Sequence, residues 1–348
     1  NPKNSPLDPG PQLFRSARLA MWRLTVAAAA LSAHSLELPE DNSLADFRAR
    51  WSCRDCNSTV DWSPLLKPID IQTGAMPTDL LLDMPFLMQV EKQFDGSAWT
   101  AQCRRMWFAS YAAAAAYLAF IVIGKEWMKD RKPWDLKTSL ALWNLFLAVF
   151  SFVGAVRTVP QLVGALSQYG FEYTLCRRAV FYYGNGPAGM WVCLFIFSKY
   201  IELVDTFFLV VRKRKIRFLH WYHHFSVLLY CWHAYTWEMP TGLYFAAMNF
   251  TVHAVMYFYY FLSGVMDKPP DWALMVTIMQ LLQMVVGILV TCCHMHLLLN
   301  RTVPRCDGHM DNLKAALGMY ASYFLLFAHF FVDRYFLNPP TRKKKHAD

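Results

Sequence analysis

Four short runs set polar side chains inside stretches that are otherwise apolar. Lys199, Glu202, Asp205 and Thr206 recur at spacings that line one face of a helix. His220, His223 and His224 form an HxxHH box at i, i+3 and i+4. Asn249, His253, Met256, Tyr257, Tyr259 and Tyr260 follow, and then Thr277, Gln280 and Gln283. An ionised side chain at the centre of a bilayer costs about 2.5–3.5 kcal/mol, so three in one span cost about 8–10 kcal/mol unless they are paired. Such residues must face one another across a bundle interior or a wet cavity. Imidazoles clustered beside a lysine and two carboxylates suit two chemistries, metal ligation or nucleophilic and acid/base work by neutral rings.

The metal reading is short of ligands. HxxHH occurs in membrane di-iron desaturases and hydroxylases, which carry several such boxes. Here there is one, and adding His233 and His253 brings the histidines of the fourth and fifth spans to five. His233, His294 and His296 taken singly read as hydrogen-bonded packing residues. That shortage argues strongly against a di-iron fatty acid hydroxylase or desaturase, which is kept as an alternative, as is a seven-helix lipid transporter or receptor, although the latter has no need of clustered histidines beside Lys199, Glu202 and Asp205.

The composition says what must position these groups. The chain has 348 residues, of which 55% are hydrophobic, 16% aromatic and only 17% charged. That balance excludes disordered, coiled-coil and collagenous chains and points to a membrane protein. Seven apolar stretches follow Trp107, near 107–124, 139–163, 188–211, 218–237, 242–263, 272–296 and 313–336, each long enough to cross a hydrocarbon core. The fold expected is an all-α integral membrane domain over 107–337, its second span kinked or broken at Pro160.

An odd number of spans puts the two ends on opposite sides. One set of loops, with the tail, holds fifteen basic residues: Lys125, Lys129, Arg131, Lys132 and Lys137, then Arg212, Lys213, Arg214, Lys215 and Arg217, then Lys268, and finally Arg342 to Lys345. The opposite loops hold Arg157, Arg177, Arg178, Arg301 and Arg305. The positive-inside rule places the C-terminus in the cytoplasm. Arg212 to Arg217, just before the HxxHH helix, is where phosphates would dock. Scattered between apolar spans, these charges do not suit nucleic acid. Asn300-Arg301-Thr302 is a glycosylation sequon in an expected luminal loop, where Cys176 and Cys306 are also free to pair.

Residues 1–75 read as a poorly ordered or non-native extension, with Met76 a plausible start, 76–106 as a luminal segment and 338–348 as a basic cytoplasmic tail. Arg15, Arg18 and Arg23 before Leu24–Ala33 imitate a signal peptide but lie internally. Cys53 and Cys56 form a single CxxC, weak as a zinc site. The tail, Lys343 to Asp348, lies one position out of register with a dilysine retrieval signal.

KxxExxDT (Lys199 to Thr206), FLHWYHH (Phe218 to His224), NxxxHxxMYxYY (Asn249 to Tyr260) and TxxQxxQ (Thr277 to Gln283) resemble, in order and spacing, the ELO family of very-long-chain fatty acid elongases. The likeness extends more loosely from about Val90 to the C-terminus. It implies a multi-pass endoplasmic-reticulum 3-oxoacyl-CoA synthase that condenses acyl-CoA with malonyl-CoA, needing no metal or other cofactor. It also implies that six of the seven helices form a barrel around an acyl tunnel, and that Cys176 and Cys306 form a luminal disulfide. By the same resemblance His223 carries the acyl group in a ping-pong route and His253 faces the acyl carbon. His220 and His224 orient or exchange protons, and Asn249 or Tyr257 stabilises an oxyanion. Lys199, Glu202, Asp205 and Thr206, with Gln280 and Gln283, form a supporting polar face. Arg212, Lys213, Arg214, Lys215 and Arg217 receive CoA. Trp221 and Lys215 resemble the branch acting on saturated and monounsaturated chains. The expected partners are the bilayer, the two CoA substrates, a second copy of the chain, and the reductases and dehydratase that complete an elongation cycle.

Overall fold

The computed structural model of the protein describes residues 88–300, 303 and 306–337. All of these fall in the unit running from Lys67 to Asp348. The expectations for 1–75, for Cys53 and Cys56, for the start of 76–106 and for the tail 338–348 lie outside the described residues. Helices are the regular elements among them, with no strand among the described residues.

Two short helices come first, α1 (Gln89–Lys92) and α2 (Gly96–Arg105). Asp95 caps α2 by accepting from Ser97 N at 2.9 Å and Ala98 N at 3.3 Å, which satisfies two otherwise orphaned donors. Then follow α3 (Phe108–Met128), α4 (Lys137–Cys176), α5 (Gly186–Ile201), α6 (Val204–Val211), α7 (Phe218–Thr236), α8 (Gly242–Val265), α9 (Ala273–Asn300) and α10 (Met310–Val332). A 3-10 turn, Ala179–Phe181, joins α4 to α5, and a π turn, Asp333–Leu337, ends the described chain.

Four helical stretches are long and apolar enough to cross a membrane: Phe108–Met128, Lys137–Cys176, Ala273–Asn300 and Met310–Leu337. The third expected span differs, because it is two helices, α5 and α6, separated at Glu202 and Leu203. The break coincides with the polar run, where Ser198 Oγ donates to Glu202 Oε1 at 2.9 Å and the backbone tightens to i→i+3 bonds such as Asp205 N to Glu202 O. Helices α7 and α8 have 19 and 24 residues, but their His, Asn, Trp and Tyr content lowers their apolar character.

The expected break at Pro160 is not where the backbone departs from the helix. The non-helical residue within α4 is Gly170, at φ +80° and ψ 173°, a conformation that glycine enters without the penalty of a Cβ. Pro160 keeps helical dihedrals, since its fixed φ is itself helical and only its missing N–H is lost. The 40-residue helix also absorbs Arg157, which the charge tally had placed in a loop. Arg157 is 7% exposed, and its Nε donates to Glu91 Oε1 at 3.1 Å. Trp191 Nε1 donates to the same oxygen at 2.7 Å. Burial pushes the Glu91 carboxyl up, but the Trp191 and Arg157 hydrogen bonds win and hold it below the usual carboxylate range.

Helix α4 packs along α8, and α9 packs along α10. At Gly154 of α4 a Cβ would come within 2.6 Å of the Phe250 ring, so only glycine allows this approach of α4 to α8. Near the end of α4, Cys176 is joined to Cys306 by a disulfide. His294 shares a hydrogen bond with the Asp307 carbonyl at 2.8 Å, and His233 with Asn312 Nδ2 at 2.8 Å. These two histidines serve packing.

Candidate active site

The centre of the bundle is where α5, α6, α7 and α8 bring their polar residues together. Lys199 is 2% exposed. Its Nζ donates to Glu202 Oε1 at 2.7 Å and to Asn249 Oδ1 of α8 at 3.0 Å, and lies 4.1 Å from the centroid of the Phe195 ring. The side chains of this ion pair are only 1% and 5% exposed. An ammonium so deep requires a carboxylate and a polar acceptor at once, and the two come from different helices. Asp205 accepts from Trp143 Nε1 of α4 at 2.6 Å and from the Tyr257 hydroxyl of α8 at 2.8 Å. Thr206 shares hydrogen bonds with His220 Nε2 at 2.8 Å and with the Tyr117 hydroxyl of α3 at 2.9 Å. The i, i+3, i+6, i+7 spacing thus aims one short polar face at four neighbouring helices.

The HxxHH residues lie in the first two turns of α7, the rings of His220 and His224 being 4.6 Å apart and those of His223 and His224 5.4 Å apart. Tyr323 of α10 packs its ring 5.0 Å from that of His223, donates to the His223 carbonyl at 3.2 Å and shares a 2.6 Å hydrogen bond with Ser226. His253 lies on α8 with its ring 5.4 Å from that of Tyr257 and is 9% exposed. Lys199, Glu202, His223 and His253 fall within electrostatic range of one another.

Two buried polar atoms here have no partner among the described residues, Glu202 Oε2 and His224 Nδ1. Buried polar atoms are rarely left unsatisfied, and at a reaction site they are positions a substrate atom can complete. No group of three or more His, Cys, Asp or Glu among the described residues is arranged to hold a metal ion.

Gln280 and Gln283 stand apart. Gln280 Nε2 donates to Met256 Sδ at 3.1 Å, which ties α9 to α8, and Gln283 is buried without a hydrogen bond to the histidines. Thr277 shares a 3.4 Å hydrogen bond with the Tyr335 hydroxyl. Sequence spacing gave no sign of Tyr117, Trp143 or Tyr323, which are single polar-tipped aromatics in apolar spans. Ser198 was within reach, being adjacent to Lys199 in the polar run.

Near the start of α7 the chain from Arg212 to Arg217 carries its basic side chains outward, with Lys213, Arg214, Lys215 and Arg217 exposed. Lys213 adopts φ +54° and its Nζ donates to the Lys129 carbonyl at 2.8 Å, while Trp134 N donates to Val211 O at 3.0 Å. These bonds draw the segment after α3 to the segment after α6, and Lys129, Arg131 and Lys132 join the same positive patch. The Arg217 guanidinium covers the Phe330 ring at 5.1 Å.

Comparison with known proteins places the chain in a family. The chain matches the family described as ELO: GNS1/SUR4 over residues 103–346. It is 40% identical over 248 residues to "Putative fatty acid elongase 3" of Caenorhabditis elegans, covering 70% of this chain and 76% of that protein. To "Very long chain fatty acid elongase 6" of Homo sapiens it is 39% identical over 253 residues, covering 71% and 92%. The same-named protein of Gallus gallus is 38% identical over 260 residues, covering 74% and 95%. The matched stretch contains every residue of the polar cluster and of the basic patch, and the chain is a member of the ELO: GNS1/SUR4 family.

Proposed function

We propose that this protein elongates fatty acids by acting as a 3-oxoacyl-CoA synthase. It joins a long-chain saturated or monounsaturated acyl-CoA to malonyl-CoA and releases CO2 and one CoA. The observation that carries this reading is the convergence of His220, His223 and His224 with His253, Tyr257 and the Lys199–Glu202–Asn249 array. The relatives' names supply the reaction class.

His223 attacks the thioester carbonyl, its ring nitrogen forming an acyl-imidazole as the C–S bond breaks and CoA leaves as thiol. Malonyl-CoA then loses CO2, and the resulting enolate carbon takes the acyl group and returns the imidazole. His253 faces the same carbonyl. Asn249, its Oδ1 held by Lys199, turns its amide N–H toward the oxygen on which charge develops, whereas the Tyr257 O–H is committed to Asp205 and serves there only if it leaves that carboxylate. His220 and His224 orient the site and exchange protons. The Arg212–Arg217 segment takes the CoA phosphates at the mouth.

Seven spans, with α5 and α6 counted as one, and a barrel of six around an acyl tunnel are the architecture this reading uses. The membrane is that of the endoplasmic reticulum, with the basic mouth and C-terminus cytoplasmic and the Cys176–Cys306 disulfide luminal, as the positive-inside rule supports. Purified protein with palmitoyl-CoA and labelled malonyl-CoA tests the reaction, and a chain lengthened by two carbons as the 3-oxo product is expected. Absence of product from any long-chain acyl-CoA overturns it. Incubation with acyl-CoA alone tests the route. Release of about one CoA per site before malonyl-CoA is added is expected, and no release refutes the ping-pong order.

A further inference from the structure

His220 is held from outside its own helix. Its Nε2 lies 2.8 Å from Thr206 Oγ1 on α6, and that oxygen lies 2.9 Å from the Tyr117 hydroxyl on α3. Thr206 is 0% and Tyr117 4% exposed, so solvent does not compete for these bonds. We propose that Tyr117 is a positioning residue for the condensation, fixing through Thr206 the tautomer and ring orientation of His220. The inference rests on the elongase reading above.

The chemistry of the three groups sets the direction of the chain. A neutral imidazole offers one good acceptor nitrogen, an alcohol both donates and accepts, and a phenol donates better than it accepts. The Tyr117 O–H therefore donates to Thr206, and the Thr206 O–H donates to His220 Nε2. With Nε2 committed as acceptor, the ring proton sits on Nδ1, and any proton His220 exchanges in the reaction passes through that nitrogen. The reverse order would ask the phenolic oxygen to accept and would leave its own O–H unspent.

The chain orients rather than conducts. Passing the Tyr117 proton along it would leave a phenolate on α3 in an apolar face shared with buried Ala114 and Ile121. The Tyr117 ring also lies 6.3 Å from that of His224, so one side chain borders one box ring directly and reaches a second, His220, through Thr206.

Three substitutions separate positioning from general packing. Tyr117→Phe removes one oxygen and keeps the ring, Thr206→Val removes both hydrogen bonds at nearly constant volume, and Thr206→Ser keeps the hydroxyl. In the elongation assay Tyr117→Phe and Thr206→Val are expected to lower kcat by about tenfold or more, with KM for both CoA substrates within about twofold. Thr206→Ser is expected to stay within about threefold of the unmodified enzyme. The proposal is overturned if Tyr117→Phe retains kcat within about twofold, or if Thr206→Ser falls as far as Thr206→Val. The serine and valine pair decides the matter even if Tyr117→Phe folds poorly. An unmodified protein without elongation activity would overturn the elongase reading and this inference together, whereas an active one indifferent to these changes overturns this inference alone.

Discussion

Replacing Lys199 by methionine tests whether the buried ion pair is what holds α5, α6 and α8 in register. Methionine keeps length and volume, so packing changes little. The Glu202 carboxylate, however, is left with one donor, the Ser198 hydroxyl at 2.9 Å, because Oε2 already has no partner. Asn249 Oδ1 loses its 3.0 Å donor as well. Removing one member of a buried pair costs about 3–5 kcal/mol, since the remaining charge keeps its desolvation penalty without its partner. Against a total stability of about 5–15 kcal/mol that is a large fraction. At about 2–4 °C per kcal/mol the melting midpoint in detergent is expected to fall by about 6–20 °C. The double change Lys199→Met with Glu202→Gln removes both charges and is expected to recover more than half of that loss while remaining inactive in elongation. Thermal unfolding followed by tryptophan fluorescence reads all three proteins. A single variant within about 1 kcal/mol of the unmodified protein, or a double variant no more stable than the single, would refute the argument that a desolvated charge pair is stabilised here.

Other expectations follow from the same geometry. His223→Ala should lower elongation by about two to four orders of magnitude with little change in melting midpoint, and burst release of CoA from acyl-CoA alone should disappear with it. Neutralising Lys213, Arg214 and Lys215 to glutamine together should raise KM for acyl-CoA and flatten its dependence on ionic strength, while kcat changes little. Gly154→Val forces a side chain into the Phe250 ring and should destabilise by about 1–3 kcal/mol, read as a lowered midpoint. Because the folded Glu91 carboxyl is held below the ordinary glutamate value of 4.5, its contribution to stability is present above pH 4.5 and lost as pH falls below it. Glu91→Gln should lower stability at neutral pH and flatten that acid limb of the melting curve.

Two signals in the sequence are complementary, and each fails where the other works. Hydropathy finds α3, α4, α9 and α10, whose outward residues include Ile123, Leu142, Phe152, Leu289 and Leu325, all well exposed. These apolar side chains face lipid, so length and composition suffice to reveal them. The same signal weakens over α5 to α8, whose inward residues are polar or aromatic. There the spacing of Lys199, Glu202, Asp205, Thr206 and the histidines is informative, because three charges in one span must find partners. What spacing could not show is where partners on distant helices lie. Tyr117 is 89 residues from Thr206, Trp143 62 from Asp205 and Tyr323 100 from His223. Each is an ordinary aromatic in an apolar stretch until the bundle is assembled.

The two misjudged positions have one cause. Pro160 carries a strong local signal for a break and Gly170 a weaker one, yet the helix runs through the proline and departs at the glycine. A proline costs one intrahelical hydrogen bond but imposes a helical φ, whereas a positive φ is open to glycine at almost no cost. The departure therefore falls at the glycine, six residues before Cys176, whose partner is Cys306. Arg157 shows the same dependence on context. Read alone it is a loop charge, but Glu91 and Trp191 meet it inside the bundle, and a charge so matched can sit where hydropathy forbids one. The break between α5 and α6 follows this logic too. The polar run assigned to the candidate site also supplies the Ser198–Glu202 contact at which the helix yields, so the interruption of the span and the buried polar cluster involve the same residues.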